Sequence, residues 1–167
     1  MQMRSGLRQG YNLFTMSERG LRLAPNQWES MLQHVERCFP EEGCGLLAGR
    51  DGSILRVHII ENCLHSPFRF RMEPKAQLEA FQQIEAEGLV LLAIFHSHPH
   101  GPEGPSLADL EEHAYPDVIH IIWSRSGNRW SCKAFRLDSG RPEAIPLTMD
   151  AEGQSPGSDR AEGGIGT

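Results

Sequence analysis

Residues 89–98, LVLLAIFHSH, constrain the fold more than any other stretch of the 167-residue chain. Leu89 to Phe95 are apolar on both faces of any strand they form, which puts that strand in the middle of a covered sheet. The run is far too short to cross a bilayer as a helix, which takes about 20 residues. Pro99 follows and cannot donate to a ladder, so the strand stops there. Residues two apart on a strand point the same way, so His96 and His98 leave its end together.

The rest of the chain supplies the covering layers. Residues 24–40 read as a helix with Asn26 as N-cap, a buried stripe of Trp28, Met31, Leu32 and Val35, and Pro40 as its stop. A short buried strand over 43–50 and a β-rich run from Ser53 to Asn62 form a hairpin through the turn RDGS. A second helix over 73–88 has Pro74 in its first turn, Leu78, Phe81 and Ile84 as its stripe, and Gly88 at its end. A short helix over 106–114 and strands over 117–124 and 130–137 follow, with a last strand near Ile145. The order is that of an α/β domain with a mixed central sheet flanked by helices. Residues 1–18 read as a flexible extension, 19–148 as the domain and 149–167 as a disordered polar tail, with Met16 a second possible start.

Composition narrows the function classes. Apolar residues make up 39% and charged residues 23%, as in an ordinary globular protein. A net charge of −6 with no Lys/Arg block speaks against a nucleic-acid binder. The first residues hold no apolar h-region, so no secretory signal is expected, and the expected location is the cytoplasm. Cys38, Cys44, Cys63 and Cys132 form no CxxC pair and read as reduced, buried thiols.

The segment HSHPHGPEGPSLAD carries the chemistry. After Pro99 a Gly/Pro loop returns as a helix at Ser106, which puts Asp109 in its first turn. Two imidazoles and a carboxylate suit Zn²⁺ and leave its fourth position open, the mark of a catalytic site. Such a metal lowers the pKa of its water and polarises a carbonyl. Taken alone, Ser106-x-x-Asp109 is a capping box and the histidines are surface residues. His100 and His113 are nearby decoys read as non-ligands, and His34, His58, His65 and His120 as structural. Cys44, at the start of a buried strand, reads as a packing thiol rather than a nucleophile.

Taken whole, His96-Ser-His98-Pro99, six residues, then Ser106-x-x-Asp109 resembles the signature of the JAMM (MPN+) zinc metalloprotease family. The upstream FPEEGCGLLAGR fits as well, with Glu42 three residues before Gly45, and the likeness extends through EN…FRFRMEP. The compact interval from Glu42 to His96 is similar to the small prokaryotic members. The resemblance implies an MPN (cytidine-deaminase-like) three-layer domain holding one zinc per chain on His96, His98 and Asp109. It implies Glu42 as the base that serves the zinc water and the leaving amine, with Glu41 as runner-up, and Ser106 as the oxyanion donor. The implied reaction is hydrolysis of the amide bond after the C-terminal Gly-Gly of a ubiquitin-like sulfur-carrier protein or its conjugates. A homodimer is compatible with such a domain, and neither nucleic acid nor a membrane is an expected partner. The alternatives are a non-catalytic MPN scaffold, which usually lacks part of this residue set, and a RadC-like protein, which usually carries an extra N-terminal helical region. A zinc deaminase would need a PCxxC motif that this chain does not have.

Overall fold

The computed structural model describes residues 20–112, 114–115, 117–137 and 140–151. In chain order its elements are β1 (Leu21–Leu23), α1 (Pro25–Cys38), β2 (Cys44–Arg50), β3 (Ser53–Ile60), α2 (Pro74–Ala86), β4 (Val90–His98), α3 (Leu107–Glu112), β5 (Ile119–Ser126), β6 (Arg129–Arg136), β7 (Glu143–Ile145) and β8 (Leu147–Met149). The strands form one sheet in the order β7-β6-β5-β4-β2-β3-β1-β8. β4 is central as expected, antiparallel to β2 and parallel to β5. The sheet therefore changes from antiparallel to parallel pairing at the strand that carries the histidines.

Local chemistry explains most boundaries. Asp51 and Gly52 both adopt positive φ between Arg50 and Ser53, the two-residue turn that matches the twist of a hairpin. α2 ends as Gly88 takes positive φ and the Leu89 N–H closes back on the Ile84 carbonyl at 2.9 Å. α1 starts earlier than an Asn26 cap implies. Pro25 takes the first turn, where its missing N–H costs nothing, and Gln27 Oε1 accepts the Ala24 N–H at 2.9 Å. Leu78 is not part of the α2 stripe and is 57% exposed. Ala80 and Ile84 face the sheet instead, and Leu78 lies about 160° round the helix from Ala80. The expected strand near Ile145 is β7, and a second one, β8, follows directly. β7 pairs with β6, whereas β8 pairs with β1 at the other edge, so the sheet curls until its two edges meet at Pro146.

Each face of the curled sheet has its own core. On one, Met31 and Val35 of α1 pack with Leu47, Phe95, Ile121 and Trp123. On the other, Ala80 and Ile84 of α2 pack with Cys44, Leu46, Ile60 and Ile94. Strand alternation puts His96 and His98 on the Ile94 face, beyond the end of its apolar cluster. Gly45 allows this packing. A Cβ there would lie 2.3 Å from the His58 carbonyl oxygen and 2.3 Å from the Phe95 ring. Gly45→Ala is expected to destabilise the domain by about 3 kcal/mol and to lower Tm by about 10 °C. A melt within a degree of wild type would contradict this account of the β2–β4 contact.

Candidate active site

Both histidines are held by sheet register. His96 lies opposite Cys44 of β2 and Ile122 of β5, and His98 opposite Ser124. Their residues are 0% and 2% exposed. Beyond His98 the chain turns back, and the His98 Nδ1–H donates to the Pro102 carbonyl at 2.8 Å. That bond keeps the lone pair of neutral His98 on Nε2, the atom that faces the site. Phe70 stacks on the His96 ring at 4.5 Å between centroids and 23° between planes.

Asp109 arrives from the other side on α3. The Ser106 N–H donates to Asp109 Oδ2 at 2.7 Å, and the Asp109 N–H donates to Ser106 Oγ at 3.1 Å. This is the reciprocal capping box that local rules read in the sequence. The same carboxylate also closes a triangle. Its Oδ1 is 3.1 Å from His96 Nε2 and its Oδ2 is 3.1 Å from His98 Nε2, while the two Nε2 atoms are 3.0 Å apart. Oδ2 is therefore shared between cap and triangle, and Oδ1 serves the triangle alone. Ser106 Oγ accepts in the cap and keeps its own O–H for donation.

The donor set fits a small cation. In neutral His98, with its proton on Nδ1, the Nε2 lone pair would face a carboxylate oxygen at 3.1 Å, so the arrangement calls for a positive charge between them, a proton in the metal-free protein or a metal ion. Zn²⁺ with bonds of about 2.0–2.1 Å to nitrogen sets tetrahedral ligand atoms about 3.3 Å apart, close to the sides of this triangle. Electrostatics follow the same geometry. Burial alone would raise Asp109, but its hydrogen bonds with His96 and His98 hold it well below the carboxylate range. Burial lowers His96. Burial also pulls His98 down, but Asp109 and the Pro102 carbonyl outweigh it and leave His98 raised.

Glu42 completes the constellation. The Ser97 N–H donates to the Gly43 carbonyl at 3.0 Å and the Gly43 N–H donates to Ser97 Oγ at 2.8 Å. This continues the β2–β4 register and sets Glu42 opposite His98. Glu42 is 3% exposed, and burial, with a contribution from Asp109 and against that of His98, pushes its carboxyl up to about 8. Glu41 turns outward and pairs with His65 at 3.1 Å. The buried Cys44 thiol points to the Ile60 carbonyl at 3.4 Å, and burial pushes its pKa up to about 12. A thiol held so far from thiolate is not a nucleophile at neutral pH.

Among the described residues, His96, His98 and Asp109 are the one group placed to hold a metal; His34, His58, His65, His100 and His120 are outside it. His113 falls outside the described residues. Three supporting residues escaped the sequence reading. Ser97 anchors Gly43, and Phe70 packs His96. Buried Asn62 donates to the carbonyls of Glu42 at 3.1 Å and Arg69 at 3.0 Å, tying the Glu42 segment to the loop that carries Phe70. The one available signal was the place of Asn62 and Phe70 in the EN…FRFRMEP segment, which says nothing of their contacts.

Comparison with known proteins gives the site its context. Over 118 residues the chain is 40% identical to a probable TtuB-protein conjugate cleaving protease of Thermus thermophilus, covering 70% of this chain and 76% of that protein. A desampylase of Pyrococcus furiosus is 41% identical over 105 residues, 63% of this chain and 75% of its own. A CysO-cysteine peptidase of Mycobacterium tuberculosis is 30% identical over 123 residues, 72% and 84% of the two chains. The solution structure of a Desulfitobacterium hafniense protein superposes with a TM-score of 0.72 at 34% identity, covering 79% of this chain and 94% of that one. A structure described as JAMM, a metalloprotease-like zinc site in the proteasome and signalosome, shares the fold with a TM-score of 0.50 at 17% identity, covering 79% and 99%. The model of one family, prokaryotic homologs of the JAB domain, matches residues 25–138, and the chain belongs to that family.

Proposed function

We propose that the chain is a zinc-dependent peptidase that hydrolyses the amide bond after the C-terminal Gly-Gly of a ubiquitin-like protein or its conjugates. The observation that carries this reading is the triangle of buried His96 and His98 with half-buried Asp109, and the carboxyl of Glu42 beside it. His96, His98 and Asp109 would hold the zinc, which acidifies water and polarises a carbonyl when bound. Glu42 takes the proton of the attacking water and hands it to the leaving amine, a task suited to a carboxyl that burial makes more basic than an exposed one. Ser106 donates its hydroxyl proton to the oxygen that gains charge as the carbonyl becomes tetrahedral. The named activities of the three relatives, all directed at ubiquitin-like proteins or their adducts, support the substrate class. The four free thiols support a reducing, cytoplasmic setting.

Metal analysis of the purified protein is expected to find about one zinc per chain, lost in His96→Ala. The substrate reading is tested on TtuB and CysO, the proteins named in the relatives' activities. Each is joined through its C-terminal Gly-Gly to a lysine peptide or to cysteine, incubated with the enzyme and weighed by mass spectrometry. Release of the free protein from at least one substrate is expected. Unchanged masses throughout would overturn the reading.

A further inference from the structure

Three exposed aromatic rings stand in a row outside the catalytic triangle. Phe39 is 39% exposed and Phe68 is 68% exposed. His100, also exposed, stands between them with its ring centroid 6.3 Å from Phe39 and 5.7 Å from Phe68. Arg125 lays its guanidinium over Phe39, with Cζ 4.3 Å from the ring centroid, and donates to Asn128 Oδ1 at 3.0 Å. Single exposed apolar residues are ordinary on a protein surface, but a contiguous row is not. Each ring is tied to the site by a short piece of chain. Phe39 precedes Glu42 by three residues through a turn closed by the Glu41 N–H on the Cys38 carbonyl. His100 follows His98 by two, and Phe68 precedes Phe70, the ring stacked on His96, by two.

The scissile bond has two flanks, and the chemistry assigns them. The amine departs beside the group that protonates it, Glu42. The acyl group lies on the other flank, where Ser106 meets the carbonyl oxygen. There the structure has a groove of about 180 Å³ walled by Phe70, Met72, Ala108, Asp109 and Tyr115, suited to an extended tail. Phe68 borders this groove and begins the row of rings, which passes through His100, two residues after His98, to Phe39, three residues before Glu42, and neither His100 nor Phe39 lines the groove.

We infer that Phe68, His100 and Phe39, with Arg125 at the end of the row, form a shelf for the leaving group, and that its occupant is the polypeptide around a modified lysine. The inference rests on the function proposed above and adds the leaving-group class to it. Chain geometry selects the occupant. A lysine amide nitrogen is separated from its Cα by four methylenes, about 6 Å, so its polypeptide emerges at the rim where the rings stand. A single amino acid has its Cα bonded directly to the scissile nitrogen and stays inside the rim. The shelf is open, as a protein surface requires, whereas a small leaving group is normally gripped in an enclosed pocket. Flat rings take the alkyl stem and its neighbours on their faces.

The test uses TtuB joined through its C-terminal Gly-Gly either to the lysine ε-amine of a short peptide or to the α-amine of cysteine. The ratio of kcat/KM for the isopeptide to that for the cysteine adduct is expected to fall about tenfold in Phe68→Ala and in His100→Ala. Both side chains are exposed, so these variants carry the test even if Phe39→Ala disturbs the end of α1. A ratio within twofold of wild type in both variants overturns the shelf, as does a larger loss on the cysteine adduct. A second readout needs no turnover. In a Glu42→Gln background the intact isopeptide conjugate is expected to bind about tenfold tighter than free TtuB, and Phe68→Ala to erase the difference. Equal binding of conjugate and free TtuB with the shelf intact also overturns it. Wild-type enzyme that cleaves neither substrate overturns the parent reading, and the shelf with it.

Discussion

Glu42→Gln is expected to keep its zinc and lose about 10³-fold in kcat, the middle of the range for removing a general acid–base group. Gln matches Glu in size and hydrogen-bonds in the same place, but it holds no transferable proton at neutral pH. Turnover and metal content measured on one sample separate this role from a ligand role, and full activity would exclude Glu42 as the base. A stability signature accompanies the loss. In the metal-free protein burial raises the Glu42 pKa from 4.5 to about 8, so the folded state keeps this proton longer than the unfolded chain does. Its contribution to stability is then full below pH 4.5 and is lost as pH rises through 8, at up to about 1.4 kcal/mol per unit. Gln never ionises. Metal-free Glu42→Gln should therefore melt about 10 °C or more above metal-free wild type at pH 8.5 and with it near pH 4. Equal melting at both pH values would remove burial as the cause of the shift.

The triangle was more legible in the sequence than its support. His96 and His98 could be read together because strand alternation is a strict rule and Pro99 marks where the strand must end. Glu42 is a different case. No local pattern links it to His98; the link is the β2–β4 register, carried by Ser97 and Gly43, and only the resemblance to a family pointed to it. Ser97 was invisible because it lies between two histidines on the opposite face of the strand. Asn62 reaches the Glu42 segment, 20 residues away, and the Arg69 segment, 7 residues away, through backbone carbonyls, which leave no trace in side-chain patterns. In the fold, the RDGS hairpin and the end of α2 at Gly88 followed from turn chemistry. Leu78 did not follow, because a small residue, Ala80, lets α2 approach the sheet at another angle. β8 escaped because a three-residue edge strand after Pro146 has too little pattern of its own and is specified by its partner, β1.

Asp109→Asn is expected to leave α3 capped and the protein folded while zinc affinity and turnover each fall by about 10³-fold or more. The variant separates the two duties that meet on this side chain. An Asn carbonyl oxygen can still accept the Ser106 N–H, and the Asp109 N–H bond to Ser106 Oγ does not involve the side chain at all, so the capping box survives. The triangle does not survive. Its charge is gone, and the amide presents a donor to His96 Nε2 where Asp109 Oδ1 stood at 3.1 Å. A hydrogen aimed into the space between the ligand atoms excludes a cation by both charge and contact. Metal-free Asp109→Asn should accordingly still fold but melt below metal-free wild type at neutral pH, because it loses the interactions with His96 and His98 that hold the Asp109 carboxyl down, and zinc should raise the Tm of wild type alone. Asp109→Ala gives the contrast. It loses metal to the same degree and, without the cap acceptor, about 1 kcal/mol more in stability. Zinc bound by Asp109→Asn at wild-type affinity would make the carboxylate a helix cap and nothing more.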